Sequence, residues 1–329
     1  MSDKTGKKPN KVLSLIFAII GVLIAANIII LSAGAIIRVV YVKAEMAKIK
    51  PYAELVDVFD GKMHVFSAGN GKKTIVLLPG MGIGLPSADF GPLMRKLAGK
   101  YTVVCVEYFG TGFSTGTQRP RSCENYTEEI RTALKQAGFK PPYTLMPHSI
   151  SGVYSEYYAA KYPREVEAII CLDCTGTGYY EKMPDSVRKI LPVAKFQQAA
   201  GTTWLAAAIT TDKKKLRGNG YTDKEINDII TFAGFTVNDT LLAQILSSGE
   251  AVREAMEKPY PASVPFFKII AKQTYETPNP QLKMTPQEYQ QKHLDRIGKN
   301  AKYEVLDGNH FIYSNNIDRI ARIADELLK

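Results

Sequence analysis

Histidine, cysteine and tryptophan are scarce in this chain, which holds four, four and one of them. Cys105, Cys123, Cys171 and Cys174 are too few and too irregular for a disulfide scaffold, and the Cys171/Cys174 C-x-x-C has no second pair to complete a zinc site. Cys105 and Cys171 instead fall inside apolar runs, as core strand residues do. Internal repeats are absent. So is a phosphate-binding glycine loop, because Gly110-Thr111-Gly112 lacks the rest of that fingerprint. No basic cluster is interleaved with aromatics, which argues against nucleic acid as a partner. These patterns predict no cofactor and no metal ion.

Charge is missing altogether from residues 12–37. A helix of that length reaches about 39 Å, enough to cross a hydrocarbon core of roughly 30 Å with tilt. Ser32-Ala33-Gly34-Ala35 offers the small residues of a signal-peptidase site, but the apolar run is much longer than the roughly 7–15 residues of a cleavable signal. An uncleaved single-pass anchor is the reading. Lys4, Lys7, Lys8 and Lys11 precede the span while Arg38, Lys43, Lys48 and Lys50 follow it, so the positive-inside bias nearly cancels. The short basic amino end tips the expectation towards a main domain outside the cytoplasm. Of the formal net charge of +10, the first 50 residues carry +6. That basicity suits anionic lipid headgroups.

Beyond the span, buried-strand patterns alternate with helical ones. Thr74-Ile75-Val76-Leu77-Leu78 runs into the tight loop Pro79-Gly80-Met81-Gly82, and a helical stretch follows at 90–97. Tyr101-Thr102-Val103-Val104-Cys105-Val106-Glu107 is a second such strand, 168–172 a third ending at Asp173, and 264–271 and 303–306 two more. A last helix, 317–328, places Ile317, Ile320, Ala321, Ala324, Leu327 and Leu328 on one face. This alternation predicts a mostly parallel sheet with helices on both faces and function at the carboxyl ends of its strands.

One such end is Tyr143-Thr144-Leu145-Met146-Pro147-His148-Ser149-Ile150-Ser151-Gly152, read as strand, sharp turn and helix with the Ser149 hydroxyl at the bend. A turn of this kind displays a nucleophile and aims the Ile150 amide at the spot where an oxyanion would form. Pro147 and Ser151 stand where G-x-S-x-G has glycine. Ser151 is still small, and Pro147 can end a strand by holding Met146 extended.

Together with Val106-Glu107-Tyr108-Phe109-Gly110-Thr111-Gly112-Phe113-Ser114, Tyr158-Ala159-Ala160-Lys161-Tyr162-Pro163 and Gly308-Asn309-His310-Phe311, these segments give residues 53–329 a resemblance to the α/β-hydrolase fold superfamily. The resemblance implies a Ser-acid-His arrangement on an α/β core. Its base is expected at His310, in the loop after the last strand; His64 and His148 are not placed to face Ser149, and His293 falls in a polar helical stretch expected to be solvated. The acid is expected at Asp173, whose bland alternative is a loop anchor, with Glu276 as the other candidate because 264–271 leads into a segment without aspartate. The amides of Met81 and Ile150 are the expected oxyanion donors.

The organisation expected is a basic tail (1–11), a transmembrane anchor (12–37), a linker (38–52), a first core part (53–175), a helical cap (176–260) and a second core part (261–329). Thr222-Asp223-Lys224-Glu225 is a capping box within that cap. The apolar run 203–209, with Trp204, either lines an acyl pocket or packs the lid on the core. The implied function is a carboxylesterase- or lipase-like serine hydrolase, acting on a small ester or lipid, a thioester or an amide through an acyl-enzyme. Relatives that carry aspartate in place of the serine, resembling dehalogenases and epoxide hydrolases, are excluded by Ser149. The alternatives are a catalytically silent binding protein of this fold and an acyltransferase or peroxidase-like use of the same residues.

Overall fold

The computed structural model describes residues 11–180, 185–280, 282–299 and 301–329. The basic tail with Lys4, Lys7 and Lys8 lies outside the described residues. Helix α1 (Lys11–Ile37) continues through a π turn (Arg38–Val42) into α2 (Lys43–Lys48), and this N-terminal helix is long and apolar enough to cross a membrane. Then follow β1 (Leu55–Val58), β2 (Gly61–Ala68), β3 (Thr74–Leu78), α3 (Pro86–Asp89), α4 (Gly91–Leu97), β4 (Thr102–Val106), α5 (Cys123–Gln136), β5 (Tyr143–Pro147), α6 (Ser151–Lys161) and β6 (Val166–Leu172). Five helices come next: α7 (Asp185–Ala199), α8 (Thr202–Thr210), α9 (Lys213–Gly218), α10 (Asp223–Ala233) and α11 (Asp239–Met256). The chain closes with β7 (Phe266–Ala271), α12 (Lys272–Glu276), α13 (Pro286–Ile297), β8 (Ala301–Leu306) and α14 (Ile317–Leu327).

The strands form one sheet in the order β1-β2-β4-β3-β5-β6-β7-β8, parallel from β4 to β8 and antiparallel at the β1 and β2 edge. Side chains alternate across it as the two-residue period requires. Val76, Leu78, Val104, Val106, Leu145, Ile169 and Cys171 pack with Tyr126 and Ile130 of α5, Val153 and Tyr154 of α6 and Val252 of α11. Ile75, Leu77, Val103, Cys105, Met146, Ile170 and Leu172 pack on the other face with Leu93 and Leu97 of α4 and Ile320, Ile323 and Ala324 of α14. Both faces are covered, which is why these strands read as continuous apolar runs.

The strand expected from Val264 starts at Phe266. Pro265 has no amide for the ladder, although its carbonyl accepts from Ile169 N at 2.9 Å. Thr222 and Glu225 form the expected capping box on α10. Trp204 of α8 packs with Tyr221, Ile226 and Ile230, its ring centroid 6.2 Å from that of Tyr41. It therefore joins α8 to α10 and to the helix entering the domain.

Candidate active site

The turn between β5 and α6 is pinned by its neighbours. His148 N donates to Leu78 O (2.9 Å), Ser149 N to Leu172 O (3.3 Å) and Thr175 N to Ser149 O (3.0 Å), so both flanking strands hold it. Ser149 has φ 56, a left-handed conformation that costs a non-glycine residue about 1–3 kcal/mol and persists only where the surroundings enforce it. The turn is crowded. A Cβ on Gly80 would lie 3.0 Å from Ser149 Cβ, so only glycine lets the loop after β3 come this close.

The two departures from glycine are accommodated. At Pro147 the ladder needs no amide, because His148 supplies the bond to Leu78 O, while the Pro147 carbonyl accepts from Cys174 Sγ at 3.2 Å. Ser151 is fully buried. Its hydroxyl donates to Pro79 O and lies 2.8 Å from Tyr108 OH, tying the start of α6 to the loop that carries Met81.

Three distant residues converge at this edge. His310 Nε2 is 2.9 Å from Ser149 Oγ, and His310 Nδ1 is 2.7 Å from Asp173 Oδ2. The Asp173 side chain is 1% exposed, and its acceptors are spoken for: Oδ1 takes Ala271 N at 2.9 Å, and Oδ2 also takes Thr274 Oγ at 2.7 Å. Asp173 itself has φ 50 and gives its amide to Ile269 O. Gln273 N donates to Gly308 O, stitching the loop after β7 to the loop that carries His310. Glu276 is exposed on α12 and makes no contact with His310 among the described residues, so it is not the partner of this histidine.

Around the site, Ile150 is buried and Met81 exposed, and among the described residues neither amide is given to another backbone group. The His310 side chain keeps 43% of its surface exposed, and Ser149 is half-buried. A cavity of about 540 Å³ lies on the Asp173 side of His310, lined by Asp173, Cys174, Thr274, Leu282, Tyr289 and His310; Ser149 is not among its walls. An acceptor for a serine proton, a carboxylate behind it and two unspent amides are the parts that acyl transfer requires.

His148 does not face Ser149, but it is not idle. It is buried, its ring lies 4.6 Å from that of His310, and its Nε2 is 2.9 Å from His310 O. The carbonyl can only accept, so Nε2 carries the proton. Burial, reinforced by the neighbouring His310, pushes the His148 pKa down to about 3, and the ring stays neutral. His148 thus fixes the main chain of the residue whose side chain meets Ser149. No sequence signal beyond its place beside Ser149 pointed to it, and none pointed to Thr274.

The remaining histidines are structural. His64 Nε2 accepts from Ala53 N, leaving Nδ1 to face Glu107 at 3.1 Å. His293 is fully buried, which corrects the expectation that it is solvated. Its ring lies between Lys268 Nζ (2.6 Å) and Glu156 Oε1 (2.7 Å), and Arg296 binds the same glutamate. The polar composition of α13 hid an inner face formed by Gln290, His293, Leu294 and Ile297. Burial holds Lys268 and His293 below their usual pKa values, while His293 and Arg296, outweighing burial, hold Glu156 low.

Comparison with known proteins agrees with this architecture. A family model described as alpha/beta hydrolase fold matches residues 73–212. The Cif epoxide hydrolase from Acinetobacter nosocomialis superposes with a TM-score of 0.66 over 90% of this chain and 96% of its own, at 14% identity. The chain has the α/β-hydrolase fold. A thioesterase domain from the curacin biosynthetic pathway superposes with a TM-score of 0.58 over 84% of this chain and 98% of its own, at 15% identity. In sequence, the chain is 29% identical over 324 residues to the uncharacterized protein YbdG of Bacillus subtilis (strain 168), covering 97% of this chain and 98% of that protein. It is 30% identical over 94 residues to the 2-(acetamidomethylene)succinate hydrolase of Mesorhizobium japonicum, which spans 29% of this chain and 34% of that enzyme. These matches support a hydrolase.

Proposed function

We propose that the protein is a membrane-anchored serine hydrolase that cleaves an ester through an acyl-enzyme, with thioesters and amides as the neighbouring substrate classes. The carrying observation is the hydrogen-bonded chain from Ser149 Oγ through His310 to Asp173. His310 Nε2 takes the serine proton as Oγ adds to the substrate carbonyl, and the Met81 and Ile150 amides receive the oxyanion. Asp173 holds the proton on Nδ1 and stabilises the imidazolium. His310 then passes the proton to the leaving group, and a water activated by the same nitrogen releases the acid. The uncharged stretch 12–37 of the N-terminal helix supports a membrane position, and the basic amino end supports a domain outside the cytoplasm.

Labelling with a fluorophosphonate probe tests the reading. Rapid modification of Ser149 is expected, lost in Ser149→Ala and His310→Ala. A folded protein that never labels would instead be a silent binder of this fold.

A further inference from the structure

From about residue 31 the N-terminal helix changes character. Residues 15–30 are exposed all round, whereas Leu31, Gly34, Ala35, Arg38 and Val42 are partly or fully buried along one face. What covers that face is the helical segment between β6 and β7. A Cβ on Gly34 would run into the Ala200 carbonyl, Arg38 Nε donates to Gly234 O at 3.0 Å, and the Arg38 guanidinium stacks 5.0 Å from the Phe235 ring. The turn between α7 and α8 therefore touches the helix at Gly34, one turn before Arg38. The opposite face stays exposed and apolar up to Val39, Val40 and Tyr41. From Val12 to Tyr41 the helix runs about 45 Å, well beyond a hydrocarbon core of about 30 Å.

The cap carries a matching surface. On α8, Trp204 and Ala208 turn inward, while Leu205 and Ile209, the latter 73% exposed, turn outward. On α7, Ile190, Val193 and Phe196 are exposed. Both helices flank the turn that meets Gly34. Exposed Arg188 and Lys189 lie beside this surface in α7, and exposed Lys213, Lys214 and Lys215 open α9 two residues after α8, behind its capping Asp212. Apolar side chains rimmed by cations are the composition of an interfacial helix on anionic lipid.

We propose that α7 and α8 rest in the headgroup zone of the bilayer crossed by α1, so that the cap is a second, non-spanning membrane contact. The proposal rests on reading α1 as a span. The apolar length left over on α1 is then buried jointly with the cap face, and Arg38 enters the interface with its Nε bond to Gly234 O and its Phe235 contact kept.

The test uses the full chain in phosphatidylcholine vesicles containing phosphatidylglycerol. An environment-sensitive fluorophore is placed on a single new cysteine at Ile24, Val193 or Ile209; the four native cysteines are buried. Spin-labelled lipids are expected to quench Ile24→Cys deeply, and Val193→Cys and Ile209→Cys at a depth of about 5–10 Å. Quenching at position 24 with none at 193 and 209 overturns the cap contact while leaving the anchor intact. No quenching at 24 overturns both. Val193→Glu with Phe196→Glu should abolish quenching at 209 and leave fluorophosphonate labelling unchanged. If that variant loses labelling through misfolding, the probes in the unaltered background still decide.

Discussion

Asp173→Asn is the sharpest perturbation of this site, because the structure dictates which way the new amide must turn. Ala271 N can only donate, and it points at Oδ1 from 2.9 Å, so the amide oxygen must take that side. The NH2 group then occupies the Oδ2 position, 2.7 Å from His310 Nδ1 and from Thr274 Oγ. The threonine hydroxyl can rotate to accept, but His310 must surrender its Nδ1 proton and carry it on Nε2, where it faces Ser149. A histidine protonated there cannot take the serine proton. The turn stays in place, so the loss falls on the chemical step, and a wrong tautomer of this kind costs about 10⁴-fold in kcat. That is about 5.4 kcal/mol of barrier at 1.36 kcal/mol per decade. The assay is hydrolysis of p-nitrophenyl esters of graded chain length, with fluorophosphonate labelling alongside. Glu276→Gln serves as the comparison and should leave both rates within about twofold, since a solvated side chain remote from the reacting atoms contributes little. A loss below about tenfold in Asp173→Asn, or equal activity in the two variants, would refute the assignment of the acid.

His148→Phe keeps an aromatic ring, slightly larger than imidazole, but deletes the hydrogen bond to His310 O, and is expected to lower kcat by about 10- to 100-fold with little change in KM; unchanged kcat would mean the loop is fixed without it. Ser151→Gly restores the usual small residue yet strands the buried Tyr108 hydroxyl and Pro79 carbonyl, so thermal denaturation in detergent should report a loss of about 1–3 kcal/mol; a more stable variant would contradict this. Asp89 ties to Tyr313 beside His148, and burial pushes its carboxyl up to about 6, against the Tyr313 hydrogen bond. The folded state then holds a proton that the unfolded chain has released, so this group's contribution to stability falls as pH rises from about 4 to about 6. Asp89→Asn should therefore gain on the parent protein between pH 4.5 and pH 8 by about 1–2 kcal/mol, the lower figure allowing for partial exposure of the residue. Parallel pH profiles of the two proteins would count against it.

The sequence by itself determined whatever depends on neighbours along the chain. The parallel strands β3, β4 and β6 read as apolar runs rich in β-branched residues because both of their faces are buried, and α10 announced its start because a capping box is complete within four residues. Ser149 was legible for the same reason: a strand, a bend and a helix lie within a decapeptide. The uncharged stretch 12–37 needed no partner to be seen. Only tertiary structure decided what depends on residues far apart. Asp173 rather than Glu276 meets His310 because β6 lies between β5 and β7, which lets the Ala271 amide at the end of β7 and the Thr274 hydroxyl of α12 orient one carboxylate from about a hundred residues away in sequence. His293 looked solvated because its buried partners, Lys268 and Glu156, come from two other elements. Ser151 looked like a flaw in the motif until Pro79 and Tyr108, brought in by β3 and the loop after β4, supplied the hydrogen bonds that make a buried hydroxyl affordable. A short segment can specify its own conformation, but the partner that satisfies a buried polar atom is chosen by strand order, which no local pattern encodes.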